Sequence, residues 1–561
     1  LINVERIVYR KFTGYWLYFI SLQERMNKLK VSGNVADLIL AQLAEWGVER
    51  IYGVLGDAIF PLLDAVARQD KISFISVTHE ANAAFMASYE ARLTGRLAVC
   101  AASAGPGAVN LLNGLADAYH DKSPVLAITG QVDTKKIGTR TKQFFDQQLL
   151  FRSFSGFTTI LTEPASVLDL LISAARNSYI NFSVSHISVP QNVFLKPVND
   201  ADTVPAEIVE IKKPLVFSGN SVNIIDAIKN SQRPLIVVGK IAEEAVYQVH
   251  SLAHVLGAGV LTAQDAKGVV RGRFKMNLGG IGEAYLPPVV QEADCIILVG
   301  NAVYEQGFFP AKAKVVQLAE RPEELSINTF ASATGDLALL LSVIEHDLEN
   351  YNLNQAWRDK IKGEALRNKQ AVVKEQENND VPIHPLRLMT ALNEIIPSNA
   401  VVALDIGEFT HWFDLGFLGE KQEILLSSMW RSIGCGLPSA IGAKFACPDK
   451  TVVAIVGDGG MLVSMAELLT CVRYKLPIVV IVVKNQIYSI EKNKMIAQGL
   501  TPLGCELTTP DFVQFAKACG AEGFRVEEPA QIQETIKKAL ELGWPALVEV
   551  ICAAVSLPEV K

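Results

Sequence analysis

The sequence predicts an α/β protein built from three doubly wound parallel-sheet domains, and three observations predict it. Short apolar runs, several ending in glycine, alternate with amphipathic helical stretches, as at Ile51 to Val54, Pro234 to Gly239 and Val452 to Gly457. The 561 residues, half of them hydrophobic, are too many for one core. Two stretches rich in charge and turn residues, Lys196 to Pro214 and Glu349 to Val381, read as linkers between domains.

In chain order, residues 1–30 form an extension. Its apolar run from Tyr15 to Leu22 is too short to span a bilayer and is followed by charges, so neither an anchor nor a signal peptide is expected; Met26 reads as the natural start. The first domain is expected over 31–198, with a helix over Ala36 to Trp46 and strands at Ile51 to Val54, Leu97 to Ala101 and Val125 to Thr129. The second covers 215–348, with strands at Pro234 to Gly239, Cys295 to Gly300 and Ala313 to Leu318. The third covers 382–557 and could repeat the fold of the first.

Bulk properties exclude several function classes. A formal charge of −7 with both signs dispersed offers no basic stripe for nucleic acid. The eight cysteines are scattered without a Cys-x-x-Cys pair, which indicates neither a disulfide framework nor a zinc site and fits a reducing cytoplasm. No G-x-G-x-x-G follows the relevant strands, which disfavours a nicotinamide dehydrogenase.

The most informative segment begins at Gly457-Asp458-Gly459, at the end of an apolar run, and closes 27 residues beyond Asp458 at Asn485. One strand-helix-strand unit fits that spacing and returns Asn485 beside Asp458 at the carboxyl edge of a parallel sheet. Glycines admit a phosphate close to the backbone, while Asp458 and Asn485 offer hard oxygens to magnesium. The other reading is a structural turn with an ordinary strand-ending asparagine.

The segment from Gly457 to Asn485 resembles the thiamine diphosphate signature of the family that includes pyruvate oxidase and acetolactate synthase. It departs in reading Lys484-Asn485 where the family usually has Asn-Asn. The resemblance implies a pyrimidine-binding first domain, a central Rossmann-like domain and a diphosphate-binding third domain. It also implies that Asp458, Asn485 and the backbone carbonyl of Ile487 hold Mg2+, with Gly457, Gly459, Gly460, Tyr488, Ser489 and Ile490 around the cofactor. Glu80, in His79-Glu80-Ala81-Asn82-Ala83, matches the family's activating glutamate, which hydrogen-bonds the cofactor's pyrimidine; taken alone it could be a surface salt-bridge residue. Ile433 matches the apolar wedge that bends the cofactor, or is a core isoleucine at a helix start, and Gly434 would offer its carbonyl to the pyrimidine amino group. Gly407, Glu408 and Phe409 match a cofactor-contacting loop. Gly53 and the Gly105-Pro106-Gly107 turn with Asn110 line the cofactor by the same likeness, and Gln143 aligns with a glutamine near the substrate.

The resemblance further implies decarboxylation of a 2-oxo acid, pyruvate foremost, through an enamine. A pyruvate oxidase-like fate would pass two electrons to FAD; an acetolactate synthase-like carboligase would use a second 2-oxo acid. Gly239, Gly300, Asn301 and Asp336 are the candidate FAD residues, yet Leu318-Ala319-Glu320-Arg321-Pro322 lacks the family's usual aspartates, so a central domain that binds nothing is the alternative. Glu491 and Lys494 are either helix-surface charges or acceptor-pocket residues. In the family Glu80 and Asp458 come from different subunits, which implies a homodimer or homotetramer. From another class, a catalytically silent paralogue that binds nucleotide or a protein partner is the competing reading.

Overall fold

A computed structural model describes residues 30–556 apart from 210–217, 220, 271, 273, 282–285, 303, 305–306 and 327. All but the last residue of the expected extension therefore lie outside the described residues. The chain divides into two compact units, residues 30–87 with 95–209, and residues 88–94 with 218–556. No described helix is long and apolar enough to cross a membrane.

The first unit holds a six-stranded parallel sheet in the order Ser73–Ser76, Arg50–Gly53, Ala98–Ala102, Val125–Gln131, Val184–Pro190 and Phe157–Ile160. Its central strands are buried throughout because helices cover both faces. Val35, Leu38, Ile39 and Leu43 share the buried stripe of the helix Val35–Glu45, started by Asn34, whose side chain accepts from the Asp37 amide in a capping box.

Part of the expected first linker is structured. Pro197–Asp202 pairs antiparallel with Lys30–Asn34, because Val31 and Val198 give this polar ribbon a buried side, while 210–214 fall outside the described residues.

The second unit contains two sheets. One runs Asn277–Ile281, Gly259–Ala263, Pro234–Val238, Cys295–Val299, Lys314–Ala319 and Ala331–Thr334, all parallel, with Ser218–Gly219 as an antiparallel edge. Numbered in chain order, its parallel strands stand 3-2-1-4-5-6, the Rossmann arrangement. The expected second linker is largely a helix, Gln355–Glu375, and belongs to this domain's core. Trp357, Ile361 and Ala365, spaced four apart, are buried, and the Trp357 indole N–H donates to the Pro234 carbonyl at 3.0 Å. Its many charges lie on the other faces, which hid the stripe.

The remaining sheet runs Glu423–Leu425, Val401–Leu404, Val452–Gly457, Ile478–Lys484, Ala546–Ile551 and Glu522–Val526, all parallel. Its chain-order pattern, 2-1-3-4-6-5, is also that of the first unit's sheet. Both therefore reverse strand order between their first and third strands, and such reversals gather ligands at the carboxyl edge.

His186 lies fully buried in the first sheet, stacked on Phe151 at 3.7 Å and bonded at its two ring nitrogens to the Thr129 and Thr158 hydroxyls, both at 2.8 Å. Burial pulls its pKa down to about 3. The unfolded chain thus takes up a proton below pH 6.5 that the folded chain refuses, and stability falls as pH drops from there toward 3. Acidification from pH 7 to 5 should cost the first unit about 2 kcal/mol through this group. Urea unfolding at both pH values should show that slope in the wild type and a flatter one in His186→Gln.

Candidate active site

A cavity of about 360 Å³ opens at the carboxyl edge of the third sheet. The strand Val452–Gly457 enters it from below and turns at Gly457 into the helix Asp458–Ser464, which brings Gly457, Asp458, Gly459 and Gly460 to the wall. The neighbouring strand Ile478–Lys484 delivers Asn485, Ile487, Tyr488, Ser489 and Ile490. Gly407, Glu408 and Phe409 follow the strand Val401–Leu404 and form a third wall. The structure thus gathers these expected residues, which were read from three separate stretches, around one space.

Asp458 is 3% exposed. Its Oδ1 accepts from the Gly459 N–H at 3.0 Å, and its Oδ2 accepts from the N–H groups of Asn485 at 3.2 Å and Gln486 at 2.6 Å. Burial pushes this carboxyl above its ordinary range, against the pull of those backbone donors. A buried carboxylate that accepts from backbone amides is suited to a cation as a further partner. The adjacent Asn485 side-chain oxygen and Ile487 carbonyl add neutral hard donors suited to magnesium held together with phosphate oxygens. No cluster of three or more His, Cys, Asp or Glu suited to a metal occurs among the described residues, so one carboxylate with neutral oxygens is the donor set on offer.

Ile433 is 37% exposed and lines the cavity, which rules out the core reading. The turn that presents it depends on Asp405, a residue whose part the sequence did not disclose. Asp405 is fully buried and accepts from the N–H groups of Ile406 at 2.6 Å, Gly434 at 2.9 Å and Gly436 at 3.3 Å. Burial pushes its carboxyl up to about 6 despite these donors. Gly434 therefore spends its N–H on the turn. Gly460 must lack a side chain, since a Cβ there would stand 2.6 Å from Asp405 Oδ2.

Eight further cavity residues were missed or left open, among them Pro385, Trp412, Arg431 and Glu491. Arg431 takes a left-handed φ of 56°, and its guanidinium donates to Gln264 Oε1 at 2.9 Å. Gln264 donates in turn to Asp414 Oδ2 at 2.7 Å, and the buried Lys267 donates to the Asp414 carbonyl at 2.5 Å. Burial lowers Lys267 to about 8 and raises Asp414 to about 6, while their mutual attraction opposes both shifts. Of the two charges left open on the helix Ser489–Ala497, Glu491 faces the cavity, whereas Lys494 is exposed and is not among the lining residues.

The first unit carries its own constellation at its sheet's carboxyl edge. Gly53 ends one strand; Pro106 opens the short helix Pro106–Asn110. Asn110 Nδ2 donates to Glu80 Oε2 at 3.0 Å, and a Cβ on Gly107 would lie 3.0 Å from Glu80 Oε1. Gln143, at a left-handed φ of 66°, packs on Gly105, where an added Cβ would meet its side chain at 2.8 Å.

In the Rossmann-ordered sheet, Gly239 and Gly300 end the two strands between which the order reverses. Asn301 is bridged to Lys240, and a Cβ on Gly239 would stand 2.1 Å from the Asn301 carbonyl oxygen. Asp336 caps the helix Leu337–Asp347 by accepting from the Leu339 N–H at 2.9 Å. Asn301 and Asp336 thus have structural duties of their own, and the case for FAD rests on the strand order rather than on them.

Comparisons agree with this architecture. Three models of the thiamine pyrophosphate enzymes match the chain: the N-terminal TPP binding domain over 33–150, the central domain over 221–344 and the C-terminal TPP binding domain over 405–550. The thiamine pyrophosphate-containing protein YdaP of Bacillus subtilis is 30% identical, covering 91% of this chain and 90% of its own. Pyruvate oxidase of Lactiplantibacillus plantarum is 26% identical over 91% and 87%, and acetolactate synthase of Bacillus subtilis 28% over 93% and 94%. The chain belongs to the thiamine pyrophosphate enzymes.

Gly460→Ala should drive a methyl into Asp405 and release the 434–436 turn. The expected cost is about 1–3 kcal/mol, as for overpacked cores, read as a lower unfolding midpoint together with weaker thiamine diphosphate binding.

Proposed function

We propose that the protein decarboxylates a 2-oxo acid, pyruvate foremost, with thiamine diphosphate and Mg2+. The observation that carries this reading is the buried Asp458 carboxylate beside Asn485 and the Ile487 carbonyl, in a cavity that also exposes Ile433. When bound, thiamine diphosphate supplies a nucleophilic carbon that also takes up the electron pair freed as carbon dioxide leaves.

The chain's own residues would divide the work as follows. Asp458, Asn485 and the Ile487 carbonyl bind the cation, which neutralises the diphosphate beside the glycine turn. Ile433 supports the cofactor's two rings from below, while Gly407, Glu408 and Phe409 flank it. Glu80, steadied by Asn110, holds a proton at the pyrimidine ring. Gln143 stands ready for the substrate, and the apolar lining of Phe409, Trp412, Ile487 and Ile490 keeps water from the reacting carbon.

Glu80 and Asp458 belong to different units, and a homodimer in which each chain's first unit completes the partner's cavity satisfies both. Incubating the protein with pyruvate, thiamine diphosphate and MgCl2 should release carbon dioxide, and Asp458→Asn should lower the rate by about 100-fold. Absence of release from any of several 2-oxo acids would favour a silent paralogue. Mixing subunits of Glu80→Gln and Asp458→Asn should restore about a quarter of wild-type activity if sites are shared between chains, and nothing if they are not.

The proposed fate is that of an oxidase that passes electrons to FAD, with which the 3-2-1-4-5-6 middle sheet, with Gly239 and Gly300 at its reversal, is compatible. Its visible spectrum after saturation with FAD should show bound flavin; a colourless protein that forms acetolactate from pyruvate would instead be the carboligase.

A further inference from the structure

The residue before Asn485 is a lysine, and its surroundings give it a task. Lys484 ends the strand that delivers Asn485, with its side chain 13% exposed. Its Nζ donates to Glu549 Oε1 at 2.6 Å and to the Pro510 carbonyl at 3.2 Å, and stands 5.5 Å from the centre of the Phe512 ring. Glu549 is fully buried, and its Oε2 accepts from Arg525 Nε at 2.5 Å. Arg525 also pairs with Asp511 at 2.9 Å, and Asp511 caps the helix Phe512–Cys519. Two cations and two carboxylates thus close a neutral cluster across three adjacent strand ends.

The cluster holds one end of a strap whose other end is tied by backbone hydrogen bonds. From Cys505 to Leu507 the chain runs antiparallel beside the turn Gln486–Tyr488: the Tyr488 N–H donates to the Cys505 carbonyl at 2.7 Å, and the Leu507 N–H to the Gln486 carbonyl at 2.9 Å. Gln486 sits at a left-handed φ of 58°, a conformation that surrounding contacts must impose on a non-glycine residue. Lys484 grips the strap's far end at Pro510 while standing at the root of the turn itself. Without the ammonium, Pro510 and the buried carboxylate would each lose a partner, and the turn that aims Asn485 and Ile487 would lose its brace.

We propose that Lys484 is a positioning residue for the cation site, fixing the 505–510 strap against the 485–488 turn so that the Asn485 and Ile487 oxygens face Asp458. This rests on the cofactor reading given above. Lys484 touches no cofactor; it acts through the turn, and Glu549 is its buried counter-charge.

The test uses the full-length protein freed of cofactor, with three variants: Lys484→Met, Lys484→Arg and the double variant Lys484→Met/Glu549→Leu. MgCl2 is titrated at fixed thiamine diphosphate, followed by intrinsic tryptophan fluorescence, to which Trp412 in the cavity wall contributes. Lys484→Met should raise the magnesium half-saturation by about 10-fold, as for lost partners of metal ligands, and Lys484→Arg should restore most of the affinity. The double variant removes the stranded carboxylate, so it should recover the unfolding midpoint but not the affinity; it also carries the test if the single variant does not fold. Hydrogen exchange at 485–488 in the cofactor-free protein should quicken in both Met-containing variants. Half-saturation and exchange within twofold of wild type, or affinity regained in the double variant, would overturn the proposal. A wild type that binds neither magnesium nor thiamine diphosphate would sink the cofactor reading, and the exchange measurement would still judge Lys484.

Discussion

The cavity stands on one buried carboxylate, Asp405, held by backbone N–H groups. Asp405 collects three backbone N–H groups from its own strand end and from the 434–436 turn, and leaves space for Gly460 and nothing larger. Leaving such a group half-satisfied would cost more than its hydrogen bonds return, so the turn, the strand end and the glycine helix hold one another in a single arrangement. That arrangement brings Ile433 into the open space and keeps Asp458 within reach of the Asn485 turn. Desolvation makes Asp405 harder to ionise, and the backbone dipoles compensate only in part.

The same topology serves both ends of the chain. The first and third sheets share the order 2-1-3-4-6-5, and each places its polar constellation at the carboxyl edge beside the reversal, Glu80 with Asn110 after the second and third strands of one and Asp458 with Asn485 after the third and fourth of the other. The two constellations differ in chemistry because their loops differ: the first offers a carboxylate held by an amide, the third a carboxylate held by backbone dipoles near neutral oxygens. A common scaffold with diverged edges accounts for both.

Much of this was legible in the residues. Parallel strands buried on both faces announce themselves as unbroken Val and Ile runs, and the 27-residue interval from Asp458 to Asn485 encodes one crossover, so their juxtaposition could be read from spacing. What escaped were features defined by contacts between distant segments. Asp405 draws two of its three donors from Gly434 and Gly436, about thirty residues further on, so no local pattern marks its part. Lys267 and Asp414 carry no local mark of burial, since it is the packing of the middle sheet's loop on the helix Phe409–Gly416 that buries them. The helix Gln355–Glu375 reads as a linker in the sequence because charge outnumbers its narrow apolar stripe. The paired edge strands Lys30–Asn34 and Pro197–Asp202 carry no alternating pattern strong enough to distinguish them from turns.

The chain from Lys267 through Asp414 and Gln264 to Arg431 joins the Rossmann-ordered domain to the wall of the cavity. Its members lie in separate stretches of sequence, and each is useful only while the others keep their identity. A middle domain transplanted from a relative would bring foreign residues at 264 and 267 to a host that still carries Asp414 and Arg431. The modules of this enzyme are therefore not freely interchangeable: a grafted middle domain would serve only where it supplies partners at 264 and 267 that match the host's Asp414 and Arg431.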